Sequence, residues 1–234
     1  MGPLAAIRIR QIAFIPATML SLTYWYTALG LWCTAGIIWL TLYTHFLITH
    51  VQPVVVLWIS ALLLGLGYGA TCLSRFGTVV ATLIYIAIIT LTGVSLAYLF
   101  SGGATIFVIV GIMFSLNALF IFYLNISSGL FRPLIFMAVS GIIAAIVVNS
   151  LVASSTMVWI VSMLTVLVWT LITALEKSTL HGYARMLYHS EFSSLSRCAL
   201  FGALTLYLGI INAVVTLCRY IILMILEILL SFRP

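Results

Sequence analysis

Gly202–Tyr220 reads GALTLYLGIINAVVTLCRY. It is apolar enough to lie in a bilayer, where about 20 residues at 1.5 Å rise span a hydrocarbon core of roughly 30 Å. At helical period Gly202, Thr205, Gly209, Asn212, Thr216 and Arg219 recur in steps of three and four, which stacks them on one face. Leu206, Leu208, Ile210 and Val214 oppose them. A membrane helix with a small, polar stripe packs it against other helices rather than lipid, so the stretch predicts a helix inside a bundle.

The rest of the chain agrees. Of 234 residues 65% are hydrophobic and 5% charged, the composition of an integral membrane protein. Seven segments have helical length: Thr23 to Phe46, Val54 to Leu73, Val79 to Phe100, Thr105 to Leu124, Pro133 to Val152, Met157 to Leu175 and Cys198 to Leu217. The expected organisation is an interfacial lead-in over 1–22 bent near Pro16, a transmembrane bundle over 23–217, and a C-terminal interfacial tail over 218–234. The tail YIILMILEILLSF is flanked by Arg219 and Arg233; a simple seventh crossing is favoured over one that turns back.

Nine basic residues against three acids report topology here rather than nucleic-acid binding. Arg8, Arg10, Arg75, Arg132, Lys177, Arg185 and Arg197 precede the first span or follow the second, fourth and sixth. The loops near His50, Gly102 and Ser154 carry no Lys or Arg. The positive-inside rule therefore puts the N-terminus in the cytoplasm. It also puts the Asn-Ile-Ser sequon at Asn125 there, unmodified.

Enzyme chemistry is not expected. No zinc-ligand spacing occurs, Ser101 lies in a tight loop that carries no histidine, and the one lysine, Lys177, is outside the last span, where a retinal protein would need it. The cysteines at 33, 72, 198 and 218 read as packing residues. Small residues in GLGYG, Gly65 to Gly69, and LTGVS, Leu91 to Ser95, mark close helix contacts, and Asn117 and Asn149 are cheapest facing the bundle interior. Two ionisable residues at helix ends carry a functional expectation, Glu176 on the sixth span and Arg75 on the second; both fall on the cytoplasmic side and could meet, or each could snorkel separately.

GALTLYLGIIN resembles the final-span signature of the transmembrane Bax inhibitor motif family, where Leu-Tyr-Leu is followed by Asp and a pair ending in Asn. TYWYTALGLWCTA, LTGVSLAYLF and ALEKSTL resemble that family's first, third and sixth spans. The resemblance implies an all-α membrane protein, a seven-transmembrane-helix bundle with the last helix central. It implies a calcium or cation leak pathway and a role in modulating cell death. It further implies one acid on each of the last two spans, sharing protons and calcium, and an arginine latch on the second. The sixth-span acid falls on Glu176, or on Ala174 if the pattern shifts by two residues; the latch falls on Arg75. The seventh-span acid falls on Gly209. The expected pathway or gate set is thus Glu176, Arg75, Asn212, Tyr207 and Gly209, with Glu176 the one residue expected to meet calcium.

The glycine has a physical consequence. Two adjacent carboxylates cannot both ionise cheaply and titrate as a unit, and removing one abolishes that coupling. Two readings follow: a cation permeation protein with an altered gate, or a non-conducting membrane protein that binds other membrane proteins to control apoptosis or host responses. No cofactor is expected beyond calcium as a permeating ion, and the partners are the lipid bilayer and other membrane proteins. One lysine against eight arginines, with the departure at the acid, suits a virus-carried copy. The expected location is a multi-pass inner membrane site in a bacterium, or an endoplasmic reticulum, Golgi or other host membrane otherwise.

Overall fold

In the computed structural model the described residues are 17–44, 58, 78–99, 102–124, 131–176, 180 and 195–209. Five helices are long and apolar enough to cross a membrane: α1 (Ala17–Thr44), α2 (Thr78–Leu99), α3 (Gly103–Leu124), α4 (Phe131–Val152) and α5 (Thr156–Leu175). A shorter apolar helix, α6, covers Leu195–Gly209. No strand occurs among the described residues, as the bilayer's demand for internally satisfied backbone groups favours. The expected second span apart from Trp58, the residues after Gly209, the tail, the Asn125 sequon and the first sixteen residues lie outside the described residues.

Helix α1 begins at Ala17, six residues before the expected start. Met19 and Leu20 are buried there, and the Ser21 hydroxyl donates to the Ala118 carbonyl of α3 at 2.9 Å. Thr23, Thr27 and Thr34 are fully buried, but each hydroxyl donates to the carbonyl four residues back at 2.8–2.9 Å. That local bond removes most of the cost of hydroxyls in an apolar interior.

Contacts fix the helix directions. Ser21 meets Ala118 and the Tyr24 ring meets Phe114, while Trp32 lies against Gly111, so α1 and α3 are antiparallel. Tyr26 meets Tyr85 and Ile37 meets Gly93, so α1 and α2 are parallel. Phe120 stacks on Phe136 at 4.0 Å and Met113 reaches Gly141, making α3 and α4 antiparallel.

A tight turn joins α4 to α5. Ala153 adopts φ 51°, the left-handed conformation that ends helices, and the Ser154 N–H bonds the Asn149 carbonyl at 3.0 Å. Asn149, fully buried, donates from Nδ2 to Ser162 Oγ at 2.7 Å and ties the two helices beside that turn. Edge-to-face contacts of Tyr24 with Phe114 (5.5 Å) and Phe114 with Trp169 (5.3 Å) join α1, α3 and α5 through one aromatic column. Isoleucines, valines and leucines such as Ile135, Val139, Ile143, Leu164 and Leu171 face outward, as lipid contact requires.

Candidate functional site: the meeting of α5 and α6

Helix α6 departs from the one-faced expectation. Gly202, Thr205 and Gly209 do line one side, but Leu206 and Leu208 on its two flanks are also buried, as are Cys198 to Leu204 and Tyr207. Neighbours lie on several sides: Thr23 of α1 and Leu180 pack at Gly202, Thr34 and Tyr85 meet Tyr207, and Ile172 and Glu176 meet Gly209. A helix enclosed in this way has no lipid face to keep apolar, so the stripe could not reveal its orientation.

Gly202 and Gly209 are seven residues apart and therefore share a face. A Cβ added at Gly202 would sit 2.9 Å from Thr23 Cγ2 and 3.1 Å from Leu180 Cδ2. At Gly209 it would sit 3.2 Å from Ile172 Cγ2, 3.6 Å from Glu176 Oε1 and 3.8 Å from Glu176 Cγ. The missing side chains let α6 approach the segment carrying Ile172, Glu176 and Leu180. The contacts run 180 to 202 and 172–176 to 209, so the two segments are antiparallel.

Glu176 caps the C-terminal end of α5, and backbone hydrogen bonds run through it on both sides. Its N–H donates to the Ile172 carbonyl at 2.9 Å, and the Leu180 N–H donates to the Glu176 carbonyl at 3.0 Å. Regular helix ends at Leu175 and the backbone bends at Glu176, where ψ is 5°. The carboxylate is half-buried. It faces position 209, so of the two alignments Glu176, not Ala174, is the residue whose side chain meets Gly209. It is the one acid among the described residues, and no three His, Cys, Asp or Glu side chains converge there.

Tyr207 is fully buried on another side of α6. Its hydroxyl lies 2.6 Å from Thr34 Oγ1, its ring meets Tyr85 edge-on at 5.9 Å, and the Thr92 side chain is within reach. Tyr85 in turn donates to the Tyr26 carbonyl at 2.8 Å. It can do so because residue 30 is glycine: a Cβ there would collide with the Tyr85 hydroxyl and lie 2.9 Å from Cζ. The sequence reading missed Gly30, Tyr85, Thr34 and Thr92, since nothing local distinguishes them from other small or aromatic residues in membrane helices. Arg75 and Asn212 lie outside the described residues, so two members of the expected set are not placed.

The geometry can be set beside known proteins. The family profile described as "Inhibitor of apoptosis-promoting Bax1" matches residues 16–227, nearly the whole chain. The chain belongs to that family. YbhM of Escherichia coli strain K12 is 32% identical over 184 residues, covering 77% of this chain and 78% of YbhM. The inner membrane protein YbhL of the same strain is 28% identical over 220 residues, covering 86% and 90% of the two chains. No solved structure is detectably similar. This member of the Bax1 inhibitor family is therefore a multi-pass integral membrane protein whose relatives include one named for the inner membrane.

Proposed function

We propose that the protein is a seven-crossing bundle that lets cations pass beside Glu176, with one carboxylate at the place where the family pattern has two. Helix direction supports the crossing number. The parallel run of α1 and α2 agrees with one further crossing in the expected second span, and α6 runs with α1 and against α5. Enclosure of α6 supports its place at the centre.

The observation that carries the reading is the facing of Gly209 and Glu176, with Oε1 3.6 Å from the vacant Cβ position. A half-buried carboxylate between membrane helices attracts a cation that has shed part of its water. A single carboxylate does not assemble the multi-oxygen shell of a resident calcium site, so a cation pauses there and leaves. Tyr207 lies on α6, and Asn212 and Arg75, outside the described residues, complete the proposed set, Arg75 as the latch. The absence of an acid at 209 favours the second reading, a membrane protein that acts by binding other membrane proteins, in cell-death control or otherwise.

Reconstitution into liposomes separates them. Calcium and potassium flux above empty liposomes, reduced about tenfold in Glu176→Gln by loss of roughly 1.4 kcal/mol of attraction, is the expected result. Flux that Glu176→Gln leaves unchanged, or no flux from protein that co-purifies with membrane partners, overturns the permeation reading.

A further inference from the structure

Tyr207 is more than a buried aromatic, and counting protons shows why. Thr34 Oγ1 has one proton, and it points to the Gly30 carbonyl at 2.9 Å. In the 2.6 Å contact between Thr34 and Tyr207 either hydroxyl can donate, and with the threonine proton on Gly30 the tyrosine is the donor. The Thr92 hydroxyl is spent in the same way on the Ile88 carbonyl at 2.7 Å, and the Tyr85 hydroxyl on the Tyr26 carbonyl at 2.8 Å. The Tyr207 hydroxyl is thus held by Thr34 on α1, with Thr92 of α2 also within its reach and Tyr85 of α2 against the ring. Gly209 follows two residues later on α6, turned toward Ile172 and Glu176.

We propose that Tyr207 is a positioning residue: its hydroxyl, hydrogen-bonded to Thr34, fixes the height and rotation of α6 so that position 209 stands against the Glu176 carboxylate. Hydrophobic packing alone sets such a helix poorly, because one apolar contact replaces another as the helix slides or turns. A short hydrogen bond to a fixed oxygen in a low-dielectric interior has one good geometry. The two partners differ in what their loss leaves behind. Tyr207→Phe removes the donor and leaves Thr34 still bonded to Gly30, so no polar group is stranded. Thr34→Val instead leaves the tyrosine proton seeking an acceptor in a buried place. The proposal rests on the reading of Glu176 and Gly209 as the functional meeting point, but its test does not depend on conduction.

The test uses the full chain with Cys33, Cys72, Cys198 and Cys218 replaced by serine or alanine, carrying Glu176→Cys and Gly209→Cys. The rate of cross-linking between the two cysteines by oxidation or a short bifunctional thiol reagent reports the registration of α6. Tyr207→Phe is expected to slow it about fivefold, the population change that one net buried hydrogen bond sets. Thr34→Val should slow it too, and Thr34→Ser, which keeps the hydroxyl, should restore it. A generic packing role would not discriminate serine from valine in that order. An unchanged rate in Tyr207→Phe, or equal rates for Thr34→Ser and Thr34→Val, overturns the proposal. Loss of cross-linking in a protein that conducts no cations leaves this positioning role standing and removes the permeation reading instead. Cation flux through Tyr207→Phe with the native cysteines, Glu176 and Gly209 present completes the comparison.

Discussion

Placing an acid at position 209 turns the geometry beside Glu176 into a measurable charge interaction. A Cβ at Gly209 would lie 3.6 Å from Glu176 Oε1, and a carboxylate carbon adds about 1.5 Å beyond it. The two charges in Gly209→Asp would therefore stand roughly 4 Å apart, where like charges repel by about 4 kcal/mol at an effective dielectric of 20. Half-burial of Glu176 and added salt reduce this, so about 1–4 kcal/mol is expected at low ionic strength. Gly209→Asn is the control, because it meets the same Ile172 methyl at 3.2 Å without the charge. Unfolding by dodecyl sulfate titration, followed by tryptophan fluorescence, should rank Gly209→Asp below Gly209→Asn without divalent ions. Two facing carboxylates form the start of a calcium shell, so calcium should restore the aspartate variant, by about 2.7 kcal/mol at a hundredfold excess over Kd. Equal stability of the two variants, with no calcium response in either, would refute the placement of Gly209 against Glu176.

Other sites give independent checks. Gly30→Ala drives a methyl into the Tyr85 hydroxyl and ring and should cost about 2–4 kcal/mol, whereas Tyr85→Phe should cost about 1 kcal/mol. Their combination should cost less than the sum, since the hydroxyl in the collision is gone; a strictly additive double-mutant cycle would contradict the close approach. Asn117 is fully buried, and neither amide atom has a hydrogen-bond partner among the described residues, so Asn117→Leu should raise Tm by the equivalent of about 1–3 kcal/mol. A fall in Tm would show that the amide bonds something in the native bundle.

What the sequence disclosed was local. Runs near 20 apolar residues must become helices, because a bilayer offers the backbone no other partner, and α2 to α5 accordingly fall within two residues of their expected limits. The start of α1 slipped because Ala17 to Leu22 read equally well as interfacial chain, until burial of Met19 and Leu20 and the Ser21 bond to Ala118 placed it in the bundle. The family and the unusual glycine at 209 were also legible, as linear patterns of residue type.

Tertiary structure alone decided what each residue meets. That Gly209 stands against Glu176, that Tyr85 enters the space left by Gly30, and that Tyr207 hydrogen-bonds Thr34 across 173 positions of sequence depend on packing between distant segments. Helical period can assign a residue to a face, but in a helix surrounded by others every face is interior. The choice of neighbour there is set by shape and by the count of donors and acceptors, neither of which one segment contains.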